Sequence, residues 1–197
     1  MKSAFVREKV RARVRAYAES NACIGCEETE KTCNKVRIIS MCGRYAQSLG
    51  AEELVDSFDL AGSTLDQSLP LNWNIAPTNE IYIVRSESDS RILDSASWGI
   101  IAPWQKNLAD ARASQSHAIN ARSESIHEKP TFRNAFRATR CLIPVQGYYE
   151  WATALGRYKP KQAFYISGAD DQSLSVAGLW SSWRTPDGQI IESASII

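Results

Sequence analysis

The 197-residue chain has no apolar run of about 18 residues, the length that spans a membrane, and no basic segment followed by an apolar one at its start. The first absence excludes a membrane-spanning helix, and the second excludes a secretion signal. Internal repeats and low-complexity tracts are absent as well. With 44% hydrophobic and 23% charged residues, the composition is typical of a soluble globular protein, and the length suits one domain rather than two.

A strong charge of one sign is also lacking, since the formal net charge is only +1. That balance conceals a difference between two parts of the chain. Residues 1–40 contain nine Lys and Arg against five Asp and Glu, whereas residues 41–197 contain fourteen against seventeen. Any nucleic-acid surface on the second part must therefore be a local patch.

Five cysteines, an odd number, with no secretion signal indicate a reducing compartment and thiols that are free or metal-bound. Cys23, Cys26 and Cys33 have a spacing that resembles half of a binuclear zinc cluster, and Cys42 could supply a fourth ligand. The second half of such a cluster is missing. We therefore favour free thiols and predict no metal site.

The first forty residues differ in pattern from the rest. Val6, Val10, Val14 and Tyr17 recur at helical spacing among arginines, which predicts a basic amphipathic helix. It could be a nucleic-acid arm, a weak targeting segment, or sequence upstream of a start codon assigned too early. We interpret residues 1–40 as a mobile extension or a misassigned start. Residues 41–197 form the domain, and we expect it to be truncated because Ser193–Ile197 reads as a strand with no turn after it.

From Met41 onward the pattern predicts an α+β fold. We predict a helix at 51–58, strands at 81–84 and 95–101, a strand end at 118–122 leading into a helix near 123–125, a helical segment around Phe132 and Phe136, and strands at 141–144, 147–151, 163–167, 174–180 and 190–197. Residues 63–72 read as a polar loop, and 73–78 as a segment that ends in a turn fixed by proline.

Cys42 follows Met41 directly, as in a chain whose initiator Met is removed. If Cys42 became the N-terminus, its α-amine and thiol would share one Cα and could attack the same carbonyl carbon in succession. The amine titrates near pH 8 and the thiol near about 8.5, so both are partly reactive at neutral pH. The alternative is a buried Cys before a turn.

Glu150 lies in Gly-Tyr-Tyr-Glu-Trp, where period-2 alternation puts it on the face of Tyr148, opposite Tyr149 and Trp151. A carboxylate in an aromatic strand is partly desolvated, which raises its pKa and suits it to acid–base work. The alternative is an edge-strand Glu that faces water.

Asn120 and Arg122 alternate in the segment Ile-Asn-Ala-Arg-Ser-Glu, which places an amide and a cation on one face of a strand. Such a pair can orient a sugar and hold a phosphate, or it can cap the start of a helix. Of the six tryptophans, one or two next to arginines could stack on unpaired bases. The cations available for phosphates are Arg44, Arg122, Arg133, Arg137 and Arg140.

Taken in order, several motifs resemble the SRAP (SOS response-associated peptidase) family from Met41 to Ile197. They are Met-Cys-Gly-Arg-Tyr, Asn-Ile-Ala-Pro-Thr, Trp-Gly-Ile-Ile-Ala-Pro-Trp, Ile-Asn-Ala-Arg-Ser-Glu, Cys-Leu-Ile-Pro with Gly-Tyr-Tyr-Glu-Trp, and Ala-Gly-Leu-Trp. The resemblance implies a single α+β domain with a barrel-like core of mixed or antiparallel strands and short peripheral helices.

The resemblance also implies an activity, which is covalent capture of abasic sites in single-stranded DNA in the DNA-damage response. The mature N-terminal Cys42 would form a thiazolidine with the ring-opened sugar. Asn120 would position the sugar and Glu150 would transfer protons. Arg44 and Arg122 would contact the DNA backbone, and Asn74 would shape the site.

This chemistry needs neither a metal nor a cofactor. We expect a monomer that acts in the cytoplasm, bound to the nucleoid when it holds DNA, or in the nucleus of a eukaryotic cell. The family's His lies in a His-x-Arg-Met-Pro stretch that we expect just after Ile197, and neither His117 nor His127 lies in such a motif. With residues 1–41 attached, Cys42 has no free amine.

Two other functions stay open. One is a thiol peptidase that removes the segment before Cys42, and the other is a non-covalent reader of modified bases.

Overall fold

The computed structural model describes residues 13–16, 43–152, 162–168 and 172–197. In that part of the chain the strands are β1 Arg13–Ala16, β2 Arg44–Gln47, β3 Asn72–Ile75, β4 Glu80–Glu87, β5 Ser90–Trp98, β6 Arg140–Val145, β7 Gly147–Ala152, β8 Gln162–Ser167, β9 Leu174–Arg184 and β10 Ile190–Ile196. The helices are α1 Ala51–Ser57, α2 Leu108–Gln115 and α3 Pro130–Ala138.

The strands form two sheets. Five of them close a barrel in the order β10-β5-β4-β6-β9, in which every pair is antiparallel except β10 with β5. The other five form an antiparallel sheet in the order β1-β8-β7-β2-β3. This architecture confirms the predicted α+β class with a barrel-like core and short peripheral helices.

The two sheets meet at a buried aromatic pair. Tyr45 of β2 and Trp98 of β5 are 1% and 0% exposed, and their rings meet edge to face with centroids 5.1 Å apart. Alternation along β2 and β5 turns these side chains inward, where they join Ile81, Ile83 and Ile143 in one cluster. Burying two large aromatic rings there fixes the position of β2 against the barrel.

Gly99 ends β5 and redirects the chain. Its φ of 113° is one that side chains with a Cβ rarely adopt, and a Cβ there would collide with the backbone carbonyl of Gln115 at the end of α2. Glycine therefore lets α2 pack directly against the end of β5. The Gly99 N–H donates to Ala194 O of β10, which holds the barrel seam closed at this point.

Four local predictions need correction. Residues 13–16 form a strand paired with β8 rather than part of a helix, while the rest of the helix predicted from the spacing of Val6, Val10, Val14 and Tyr17 lies outside the described residues. Residues 72–75 form a strand before the predicted turn, because β2 supplies a pairing partner with a bulge. The predicted strand at 118–122 is a single bridge between Asn120 and Ile196, and 123–128 form turns rather than a helix.

The helix α2 had no counterpart among the predictions. It lacks an apolar stripe, and only Ala111 and Gln115 are buried. Its start is instead stabilised by Asn107, whose side chain accepts a hydrogen bond from the Asp110 N–H. No helix in the described ranges is long and apolar enough to span a membrane.

Candidate active site

Glu150 is buried in the middle of the five-stranded sheet. Its strand β7 pairs with β2 on one side and β8 on the other, so the edge-strand alternative does not apply. The residue is 5% exposed, and Oε2 has no hydrogen-bond partner among the described residues. Burial raises the pKa of the Glu150 carboxyl, and a hydrogen bond from the backbone N–H of Trp151 offsets part of that rise. A raised pKa makes a carboxyl group a better candidate for general acid–base work.

The two faces of β7 differ as alternation predicts. Tyr148 pairs with Tyr45 of β2 and lines a cavity together with it. Tyr149 faces the other way, where its ring lies 5.0 Å from that of Tyr165 and its hydroxyl donates to Trp73 O at 2.9 Å. Glu150, two residues after Tyr148, belongs to the cavity face.

The motif Gly-Tyr-Tyr-Glu-Trp begins with Gly147 for a steric reason. A Cβ at that position would collide with the Tyr165 ring and with the backbone oxygen of Ile166 in β8. The Tyr165 ring therefore packs over Gly147, and the glycine allows β7 and β8 to carry their aromatic side chains on the outer face without separating.

The cavity has a volume of about 350 Å³ and is mostly apolar. Its walls are Tyr45, Asn120, Val145, Tyr148, Val176, Ile196 and Ile197. Apolar walls with a few convergent polar groups are typical of a small-ligand site. Here the polar groups come from an amide and two tyrosines.

Asn120 is held in this wall by its neighbours. The Ile119 carbonyl accepts hydrogen bonds from Trp98 Nε1 and from the Ile196 N–H, both at 3.0 Å, and the Ala121 N–H donates to Ile196 O at 2.6 Å. These bonds fix the backbone on both sides of Asn120 without a continuous strand. The amide is therefore positioned by the end of β10 and by the buried Trp98.

Arg122 does not share the cavity. It is exposed and begins the turn that precedes α3, so the predicted pairing of Asn120 and Arg122 on one strand face is wrong. A face shared by alternate residues requires a strand, and the strand is absent here.

Arg44 and Asn74 form a second group. Arg44 Nη1 donates to Asn74 Oδ1 at 3.1 Å, across the pair β2 and β3. Because Arg44 pairs with Tyr149 in β7, its side chain lies on the outer face of the sheet, opposite the face of Tyr148 and Glu150. The five predicted site residues that the structure describes therefore do not form one cluster. Asn120 and Glu150 belong with the cavity side, Arg44 and Asn74 with the outer face, and Arg122 with neither.

Cys42 lies outside the described residues, as do Cys23, Cys26 and Cys33, so the zinc hypothesis is not tested. Gly43, the next residue, is described, and β2 begins with Arg44 opposite Tyr149. Continuing this register by one residue would bring Gly43 level with Glu150. Cys141 is the described cysteine; it is buried, and desolvation raises its pKa to about 12. No group of three potential metal ligands occurs in the described ranges.

Comparison with known proteins adds the family. The model of the family described as SOS response associated peptidase (SRAP) matches residues 41–197. The chain belongs to the SRAP family. The SRAP resemblance inferred from the motifs is thereby confirmed.

Relatives of this SRAP chain carry a shared name. It is 31% identical over 164 residues to the abasic site processing protein YoqW of Bacillus subtilis, an alignment that covers 80% of this chain and 67% of YoqW. It is 28% identical over 137 residues to the abasic site processing protein HMCES of Mus musculus, covering 57% of this chain and 38% of HMCES. The chain thus spans about two thirds of the length of YoqW.

Solved structures share the SRAP fold. A crystal structure of a protein from Bacteroides thetaiotaomicron has a TM-score of 0.69 and 28% identity, covering 79% of this chain and 67% of the other. A second, from Bordetella bronchiseptica, has a TM-score of 0.65 and 28% identity, covering 78% and 70%.

The two tyrosines that line the cavity were not predicted as site residues from the sequence of this SRAP chain. Tyr45 lies in the same motif as Cys42, and Tyr148 in the same motif as Glu150, but of these four only Cys42 and Glu150 were predicted as catalytic residues. The signal for the tyrosines was the matched position of an aromatic residue in two strands, but recognising it requires knowing that β2 pairs with β7. Sequence spacing alone does not establish that pairing.

Proposed function

We propose that this chain processes abasic sites in DNA by capturing them covalently in single-stranded DNA, with Cys42 as its N-terminal residue. The observation that carries the proposal is the buried Glu150 carboxyl on the strand that pairs with β2, since Cys42 precedes β2 by two residues. Membership of the SRAP family and the printed names of its relatives support the substrate.

The chemistry follows from the two nucleophiles of an N-terminal Cys. The α-amine adds to the aldehyde carbon of the ring-opened sugar, and loss of water gives an imine. The thiol then adds across the C=N bond, so that a C–S bond forms and the nitrogen takes the proton. The product is a thiazolidine, one water is released, and no oxidant or reductant is consumed.

Glu150 is suited to the proton transfers in this sequence. Dehydration needs a proton delivered to the leaving hydroxyl, and ring closure needs one removed from the thiol. A carboxyl group whose pKa is raised by burial is suited to both transfers, because it holds a proton more readily than an ordinary glutamate does. The described chain resumes at Gly43, the residue bonded to Cys42, and β2 begins one residue later, opposite Tyr149 of β7.

The remaining predicted residues have secondary roles in this proposal. Asn120, fixed in the cavity wall, positions the sugar through its amide. Arg44 and Arg122 contact backbone phosphates, and the hydrogen bond from Arg44 to Asn74 holds the guanidinium in place. Arg44 lies on the outer face of the sheet, so its phosphate cannot be the one next to Asn120.

The experiment compares chains that differ only at the nucleophile. A chain that begins at Cys42 is incubated with single-stranded DNA containing one abasic site and run on a denaturing gel. We expect a heat-stable shifted band that needs no reductant. The full chain, with its Cys42 amine in a peptide bond, gives none unless it is first processed.

Two substitutions in the Cys42-initiated chain separate the amine from the thiol. Cys42→Ser keeps the amine but cannot close a thiazolidine, so its band should require borohydride to trap the imine. If Cys42→Ala gives an equally stable band without reductant, the proposal is wrong.

A second activity is favoured by the family description, which names a peptidase. Cleavage before Cys42 would expose the amine that capture requires, so the two activities are compatible. Mass spectrometry of the full chain after incubation would then show loss of residues 1–41. The loss should disappear in Cys42→Ala and in Glu150→Ala.

A further inference from the structure

The helix α3 has one side in the protein and one in solvent. It begins after Lys129 with Pro130 at its first turn, where a proline costs no hydrogen bond. Phe132, Ala135 and Phe136 pack on a cluster that includes Ile126 and Leu179. The opposite side carries exposed arginines.

Four cations stand close together on this segment. They are Lys129, Arg133, Arg137 and Arg140, all exposed, and we call them the basic strip. Residues 129–140 contain no Asp or Glu. Arg133 and Arg137 are four residues apart, so they are neighbours along one side of the helix.

The basic strip has no ionic partner in the described part of the chain, where the salt bridges are those of Arg85 with Glu87 and Asp94 and of His127 with Glu128. Arg85 shows what a structural arginine looks like here. It bonds Asp94 at 2.6 Å and stacks 5.0 Å from the Trp180 ring. Exposed Lys and Arg side chains with no Asp or Glu among them instead produce a local positive potential.

The helix that carries the strip packs on a cluster that borders the cavity. Ile197 lines the cavity wall and also packs against the cluster under α3. Ala121, which follows Asn120, is a member of that cluster. The cluster under α3 and the cavity wall therefore share Ile197, and the exposed Arg122 lies in the sequence between Asn120 and α3.

We propose that the basic strip binds backbone phosphates of the single-stranded DNA whose damaged residue is held in the cavity. The inference rests on the proposed function for its choice of DNA as partner. Lys and Arg contacts with phosphates release counterions, so they strengthen binding without regard to sequence and make it depend on salt. The strip is thus a non-specific anchor for the strand.

The test measures binding of the full chain to an undamaged, fluorescein-labelled single strand by anisotropy, at several KCl concentrations. The variant Arg133→Gln/Arg137→Gln removes two charges from the strip. The matched control Arg91→Gln/Arg184→Gln removes two exposed charges elsewhere, whose hydrogen bonds are to the backbone of Asp59 and Gly188. Thermal melts confirm that both variants fold.

We expect the strip variant to bind about five- to tenfold more weakly at 0.1 M salt, and its slope of log K against log[salt] to fall in magnitude by about 1.4, or about 0.7 for each lost contact with a single strand. The control should keep the parental affinity and slope. The inference is overturned if the strip variant keeps the parental slope, as it would if the strip served an acidic protein partner. Equal weakening in both variants, or no measurable binding by the parent, overturns it too.

Failure of the proposed function has a different signature. A parent chain that binds DNA with the expected slope but forms no thiazolidine, even when it begins at Cys42, disproves capture and leaves the strip intact. Conversely, the strip alone is disproved if the Cys42-initiated chain captures abasic sites at saturating DNA while the strip variant keeps the parental salt slope.

Discussion

Asp94 and Glu150 are two shielded carboxylates in different sheets, and their surroundings are opposite. Asp94, on the barrel strand β5, accepts from Arg85 Nε at 2.6 Å and from the Ser95 N–H at 2.8 Å, so both of its oxygens are bonded. Glu150, in the five-stranded sheet, is 5% exposed and leaves Oε2 without a partner among the described residues. A carboxylate that is buried without a cation destabilises the fold, so such a residue is a candidate for a catalytic role. A carboxylate paired with a cation is instead typical of a structural ion pair.

Cys141 sets a limit to that argument. It is buried, and its pKa is raised to about 12, yet it lies in the apolar core with Ile143 and Ala194 and does not line the cavity. A thiol with that pKa is almost entirely protonated at neutral pH and is a poor nucleophile. Burial alone therefore does not mark a reactive group. Glu150 does not line the cavity either, but it lies on β7, which pairs with the strand β2 that follows Cys42.

The largest expected effect is a difference between Glu150 and Asp94 variants in the rate of abasic-site capture. In a chain beginning at Cys42, Glu150→Gln should slow abasic-site capture by about 10²–10⁴-fold, the usual contribution of a general acid or base. Asp94→Asn should leave the rate within about threefold, because Asp94 is committed to Arg85. Single-turnover formation of the crosslinked band at saturating DNA measures both. Equal rates in the two variants would remove Glu150 from the mechanism.

For the free energy of unfolding, we expect the Asp94 variant rather than the Glu150 variant to show the larger loss. Asp94→Asn leaves Arg85 without its close partner and should lower the free energy of unfolding by about 1–3 kcal/mol, between the values for exposed and buried pairs. Urea denaturation measures this as a lower midpoint at constant slope. Glu87→Gln is the matched control, since its 3.6 Å contact with Arg85 is more exposed and should be worth less than about 0.5 kcal/mol. A similar loss in both variants would mean that Asp94 is not a special partner.

The contrast between these carboxylates could be read only in part from the sequence. Alternation in Gly-Tyr-Tyr-Glu-Trp placed Glu150 on the Tyr148 face, because period 2 is a property of any strand. Whether that face was exposed to solvent or buried depended on the neighbours of β7 in the sheet. These are β2 and β8, and the pairing of β2 with β7 joins residues about 100 positions apart in the sequence. Nothing near Asp94 in the sequence indicates Arg85 as its partner, since the pair forms only when β4 and β5 take their register.

Other site elements depended on tertiary contacts in the same way. The amphipathic pattern of α3 identified it, since Phe132 and Phe136 recur one turn apart among arginines. The segment around Asn120 has alternating residues but only one bridge, because Trp98 and β10 hold its backbone instead of a neighbouring strand. The strand β3 is short and exposed at its centre, so its pairing with β2 outweighs a sequence that favours a loop.

The smallest expected effect concerns Glu150 and pH. Because its pKa is raised in the folded chain, ionisation costs the folded state free energy as pH rises through that value. Below the ordinary pKa of a glutamate, both the folded and the unfolded chains carry it protonated, and no cost arises. Glu150→Gln cannot ionise, so it should have the same Tm as the parent in acid and a higher Tm than the parent at pH 8. Melts of both chains between pH 4 and 8 measure the difference. A gap that stays constant with pH would show that the carboxyl does not change its charge across this range, and a parent more stable than the variant at pH 8 would mean that Oε2 has a cationic partner in solution.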